Sequence, residues 1–141
     1  MAGRRHKAMT IALQALYEVD AVARQPEAVT ERLLGEANLS EENSEFVREL
    51  VNGAIKHREE IDRSIHKFAT AWPVNQIALI DRNILRLAIF EILFDNKVPV
   101  KVAVSEAVEL AKTFGSEKSS KFINGVLGAV VSALASREKA Q

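Results

Sequence analysis

Between Asp81 and Phe94 the sequence DRNILRLAIFEILF places Ile84, Leu85, Leu87, Ala88, Ile89, Phe90, Ile92, Leu93 and Phe94 on nearly every side of the helix that a 3.6-residue period predicts, with Asp81 as its N-cap. A helix apolar all round has to be enclosed by others, and the rest of the chain supplies them. Thr10 to Ala23 carries Ile11, Ala12, Ala15, Leu16, Val19, Val22 and Ala23 at 3,4 spacing. Pro26 stops that helix and opens a second one, which runs to Gly35 as C-cap. Asn38 and Ser40 offer N-caps for SEENSEFVRELVNGAIKHREEIDRSIHKFAT, where Phe46, Val47, Leu50, Val51, Ala54, Ile55, Ile61, Ile65 and Phe68 trace one long stripe that Pro73 ends. Val98, Val100, Val102 and Val104 alternate as in a strand, but Val100, Ala103, Val104, Ala107, Val108, Ala111 and Phe114 share a helical face, which predicts a helix from Pro99 as N1 to Gly115. A final helix follows Ser116.

These elements predict an all-α fold of about seven helices in two small helical bundles packed together. The length of 141 residues fits one domain, 1–141, with an N-terminal half of about residues 1–73 and a C-terminal half of about 74–141. A short echo, apolar-Asn-Gly-apolar, joins the halves: VNGAI at Val51 to Ile55 and INGVL at Ile123 to Leu127.

Composition excludes several classes. There is no cysteine, hence no disulfide framework, thiol catalysis or thiolate zinc site. The 19 basic and 19 acidic residues cancel, so any nucleic-acid preference must come from a local patch. No phosphate loop, nucleophile elbow or H-E-x-x-H motif is present, and the three histidines are scattered. Asp62 and His66 have i,i+4 spacing, which reads as a solvated ion pair, and Glu41/Glu42 and Glu59/Glu60 read as solvated faces. The expectation is a non-enzymatic protein without cofactor or metal. No run has the length of a signal peptide or a membrane span, which predicts a soluble cytoplasmic protein.

Two regions stand apart from this background. Arg4, Arg5, His6 and Lys7 crowd the start of the first helix, where cations oppose the macrodipole. They form either a solubilising tail or an arm that meets phosphate. Tyr17 falls outside the apolar arc of the same helix, so its ring faces out. On the last helix Gly125 and Gly128 fall outside the apolar arc beside Lys118 and Lys121, with Phe122 at its edge; Lys112 and Phe114 lie just before. Glycines there permit close approach of another chain or a nucleotide, or of a neighbouring helix in the same molecule. The two basic-aromatic patches are expected to converge on one site, and outward aromatics among lysines suit single-stranded RNA, whose bases can stack.

IALQALYEVD at Ile11 to Asp20, DRNILRLAIFEILF at Asp81 to Phe94, VPVKVAVSEAVELAKTFG at Val98 to Gly115 and SSKFINGVLGAV at Ser119 to Val130 together resemble the NusB family of bacterial transcription antitermination factors. The resemblance runs in order through nearly the whole chain and is weakest over Ala21 to Ala71. It implies a non-enzymatic factor that binds single-stranded boxA RNA as a heterodimer with the small ribosomal protein NusE, supporting ribosomal RNA transcription within the elongation complex. The free state, monomer or homodimer, stays open. By motif, Arg5, His6 and Lys7 stand in the family's arginine-rich arm, Tyr17 in its ALY motif and Arg86 in its ILR motif. Phe114, Lys118, Lys121 and Phe122 stand in its RNA-facing C-terminal region, and Asp81 on its NusE side. The chain departs from the family pattern at His6, Lys7 and Met9, where arginines are usual, at Lys118 and Gly128, where acids are usual, and at Ser105 in place of asparagine. Two rival readings are a helical protein-protein scaffold without specific RNA binding, and the RNA-binding domain fragment of an RNA methyltransferase.

Overall fold

A computed structural model of the protein describes residues 2–69, 71 and 73–140, with side chains for 5–69, 71 and 73–137. Among the described residues there are seven α-helices and no strand: α1 (Ala2–Val22), α2 (Pro26–Ala37), α3 (Glu41–Lys56), α4 (Arg58–Phe68), α5 (Leu79–Phe90), α6 (Val100–Phe114) and α7 (Ser119–Ala140). A 3-10 turn, Val74–Gln76, precedes α5, and a π-helical turn, Glu91–Asp95, follows it.

The segment that is apolar on every side is the centre. α5 packs against α1, α3, α4, α6 and α7, and Ile84, Leu85, Leu87 and Ile89 are completely enclosed. Around it α1, α2 and α3 pack on one another, α6 pairs with α7, and one continuous core joins both groups. α4, which precedes Pro73 in sequence, packs on α5 and α7, so chain order and spatial grouping part company there.

Several boundaries differ from the sequence expectation, each for a local reason. The basic arm is not a tail: α1 begins at Ala2 and continues through it. Gly35 lies inside α2, and the C-cap is Asn38, left-handed at φ 54, which a short polar side chain tolerates. Ser40 caps α3 as predicted, its Oγ accepting the Asn43 N–H at 3.1 Å. The long stripe breaks at His57, whose ring stacks on Phe94 with centroids 4.1 Å apart. Asp81 is not an N-cap; Ala78 holds that position and Asp81 sits in the first turn, where a carboxylate still complements the helix dipole. Pro99 caps α6 instead of opening it, and Gly115 ends α6 as predicted.

The two Asn-Gly motifs serve different ends. Gly53 lies where α3 crosses α5: a Cβ there would stand 2.1 Å from Cζ of Phe90, so the bare backbone at Gly53 is the seat of the Phe90 ring. Among the described residues a Cβ at Gly125 or Gly128 would meet nothing within 4 Å, so no neighbouring helix among them packs against those two glycines.

Candidate nucleic-acid interface

The connection from α6 to α7 sets the C-terminal patch. A side chain on Gly115 would collide with Ser119 Oγ at 2.4 Å, and that hydroxyl accepts the Ser116 N–H at 2.9 Å. The tight turn so formed fixes the first turn of α7, leaving Lys118 and Lys121 exposed and Phe122 half-buried. Lys118 and Phe122 line a cleft of about 430 Å³ together with Gln76, Ile77, Ala78 and Asp81. Asp81 is 9% exposed, and no donor among the described residues reaches its Oδ1. Phe114, 42% exposed, ends α6 nearby in sequence. Lys112 lines a second depression of about 550 Å³ between α6 and α7, walled by Val100, Val104, Val108 and Val131, with Asn124 and Gly128 on the α7 side.

On α1 the outward residues include His6, Lys7 and Tyr17, the last 39% exposed. Among the described residues no ion pair engages Lys7, Lys118 or Lys121, so their charge is free to meet an anion; Lys112 is loosely paired with Glu109 at 3.9 Å. The Arg4 side chain lies outside the described residues. Met9, at a position where the resembling family carries arginine, is fully buried and takes no part in this surface.

Two of the expected RNA-facing residues point elsewhere. Arg86 is 5% exposed, with Nε and Nη2 donating to the two carboxylate oxygens of Asp62 at 2.9 and 3.0 Å and Nη1 donating to Asp20 at 2.9 Å and to Asn83 at 3.2 Å. Four of the five donors of its planar fork are engaged inside the protein, so it ties α1, α4 and α5 together. Arg82 adds a bidentate pair to the same Asp20, at 2.8 and 3.0 Å. Burial alone would raise the Asp20 carboxyl, but the donors of Arg82 and Asn83 and the charges of Arg86 and Arg82 hold it well below the ordinary carboxylate range. Asp62 is therefore a partner of Arg86, not of His66.

Arg5 is likewise turned inward. Its Nη2 donates to Glu91, its Nε donates to Glu106 at 2.7 Å, and its guanidinium lies 5.1 Å from the centre of the Phe46 ring. Burial pushes the Glu91 carboxyl up, opposed by the hydrogen bond and charge of Arg5. The arm lies toward the opposite end of α5 from the Phe122 cleft, whereas Tyr17, three residues before Asp20, lies toward the cleft's end. Arg5 meets the C-terminal end of α5 at Glu91 and Asp20 meets its start at Arg82, so α1 and α5 run antiparallel. The arm and the Phe122 cleft are thus separated by the interval from Asp81 to Glu91, about 15 Å at 1.5 Å per residue.

A family model described as the NusB family matches residues 6–132. The chain belongs to the NusB family. The transcription antitermination protein NusB of Dehalococcoides mccartyi is 54% identical over 139 residues, covering 99% of this chain and 97% of that protein. Its counterpart in Chloroflexus aggregans is 48% identical, covering 98% and 94%. Among solved structures, the crystal structure of antitermination factors NusB and NusE in complex with dsRNA superposes with a TM-score of 0.86 at 30% identity, covering 94% of this chain and 99% of that one. The solution structure of NusB from Aquifex aeolicus gives 0.80 at 30% identity, covering 95% and 91%.

The NusB-family reading of the sequence overlooked Glu91 and the Asp20 network. A signal for the first was present: Glu91 is the only acid between Asp81 and Asp95, inside an otherwise apolar run. The second had none, because Asp20 meets Arg86 across 66 residues.

Proposed function

We propose that this protein is a non-enzymatic transcription antitermination factor that binds single-stranded RNA of the boxA type as a heterodimer with NusE and acts within the transcription elongation complex. The observation that carries the reading is the set of exposed lysines for which no ion pair is found among the described residues, Lys118 and Lys121 beside the half-buried Phe122 on α7 and Lys7 on the helix that turns Tyr17 outward, on a chain of NusB-family fold. Lysines neutralise phosphates and release counterions, while flat rings offer bases a stacking surface at any sequence. The cleft beside Asp81 holds Lys118 and Phe122 against the start of α5 and is the place we assign to the edge between RNA and NusE. No helix among the described residues is long and apolar enough to cross a membrane.

The test is fluorescence anisotropy with a labelled single-stranded boxA RNA, a scrambled strand and a duplex, with and without NusE, at several salt concentrations. Preference for the boxA strand that sharpens with NusE is the expected result. Equal weak binding to all three with NusE present would favour the protein-scaffold reading. Sedimentation of the free protein, run alongside, identifies a homodimer.

A further inference from the structure

Glu91 is the one acid of the central apolar run, and it is 2% exposed. Its Oε1 is reached by no donor among the described residues, and its Oε2 accepts from Arg5. A carboxylate so placed costs stability unless it is paired, and a hydrophobic residue of similar size would serve the core better. Its partner comes from the other end of the sequence, 86 residues away, and that partner is also held by Glu106 of α6 and faced by Phe46 of α3. Three elements thus converge on a single side chain of the first turns of α1. On an α-helix, His6 is turned about 100° and Lys7 about 200° from Arg5. Fixing Arg5 inward therefore turns Lys7 outward, and both His6 and Lys7 are exposed.

We propose that Glu91 is a positioning residue for nucleic-acid binding: it anchors Arg5 inside the protein, and the anchored Arg5 sets the rotation and order of the helix turn that presents His6 and Lys7 to RNA. Arg5 is then an internal peg and not a phosphate contact. The proposal rests on the RNA-binding reading above.

The experiment compares the affinity and salt dependence of the full chain for a labelled single-stranded boxA-type RNA in four forms: wild type, Lys7→Gln, Glu91→Gln and the double variant. Lys7→Gln lowers the salt slope by about one, as expected for a phosphate contact. Glu91→Gln, which removes a buried charge and no phosphate contact, is expected to weaken binding and lower the slope as well. In its background Lys7→Gln then adds nothing. Hydrogen exchange should quicken at the amides of residues 6–10 and stay unchanged in the rest of the chain. Additive effects, or a Glu91→Gln protein that binds as well as wild type or better because Arg5 is released to phosphate, would overturn the proposal. Should Glu91→Gln fail to fold, Arg5→Lys replaces it: net charge is kept, but a point charge cannot span Glu91 and Glu106 as the guanidinium fork does. The expected result is the same loss of the Lys7 contribution, and wild-type affinity would refute it. A wild type that bound no RNA at all would sink the functional reading and this proposal together, whereas additive variants of a binding wild type sink the proposal alone.

Discussion

Gly125 and Gly128 lie within a helix, have open space where a Cβ would stand, and do not adopt positive φ. Nothing among the described residues calls for glycine there, and each costs about 0.5–1 kcal/mol relative to alanine. Gly125→Ala and Gly128→Ala are therefore expected to raise the thermal midpoint of the free protein. If an RNA or NusE backbone approaches this surface, the same variants weaken the complex, so calorimetry and anisotropy on one pair of proteins should move in opposite directions. Gly53 behaves differently. Gly53→Ala drives a methyl into the Phe90 ring and is expected to destabilise by about 1–3 kcal/mol, as overpacking does. A denaturant melt of Gly53→Ala with Phe90→Leu, which makes room, should recover part of the loss.

Among the elements, α1, α4 and α5 meet at Arg86, and its role is open to a clean separation. Arg86→Met leaves Asp20 and Asp62 without their shared cation, and losing one partner of a buried ionic cluster costs about 3–5 kcal/mol. The salt slope of RNA binding measured on the protein that remains folded should not change, because no phosphate contact is lost. On α7 the contrast is between neighbours. Lys121→Gln is expected to reduce the salt slope by about one at every RNA sequence, whereas Phe122→Ala should cost about 1–3 kcal/mol with the slope retained. Most helices were legible in the sequence because each has an apolar face at helical spacing, with a Pro, Gly or Ser marking ends such as those at Pro26, Ser40 and Gly115; the break between α3 and α4 at His57 carries no such mark and escapes the pattern. What the pattern could not carry was the direction of individual cations. Arg5 and Lys7 look alike in the string, yet one is drawn inward by Glu91 and Glu106, which lie 86 and 101 residues away. Arg86 looks like the exposed residue of a helix until Asp20 and Asp62 arrive from α1 and α4. Where sites depend on local geometry, as with Tyr17 and Lys118, sequence and structure place the residue on the same side.

For the molecule as a whole, the buried carboxylates give stability two opposed dependences on pH. Asp20 is held below its ordinary value of 3.8, so the stability it contributes is fully present above that pH and is lost as pH falls below it toward the folded value. Glu91 is raised above 4.5, so its contribution is full below 4.5 and declines as pH rises through the folded value. Thermal midpoints recorded from pH 2 to 8 should fall on the acid side in wild type and less so in Asp20→Asn, and Glu91→Gln should flatten the decline above pH 4.5. The antiparallel lay of α1 on α5, tied at both ends by these groups, also sets a timetable for the newly made chain. Asp20 waits 62 residues for Arg82, and Arg5 waits 101 residues for Glu106. At about 5–20 residues per second those delays are roughly 3–12 s and 5–20 s. During synthesis the apolar stripe of the first helix therefore waits uncovered for the elements that hide it, which are made later.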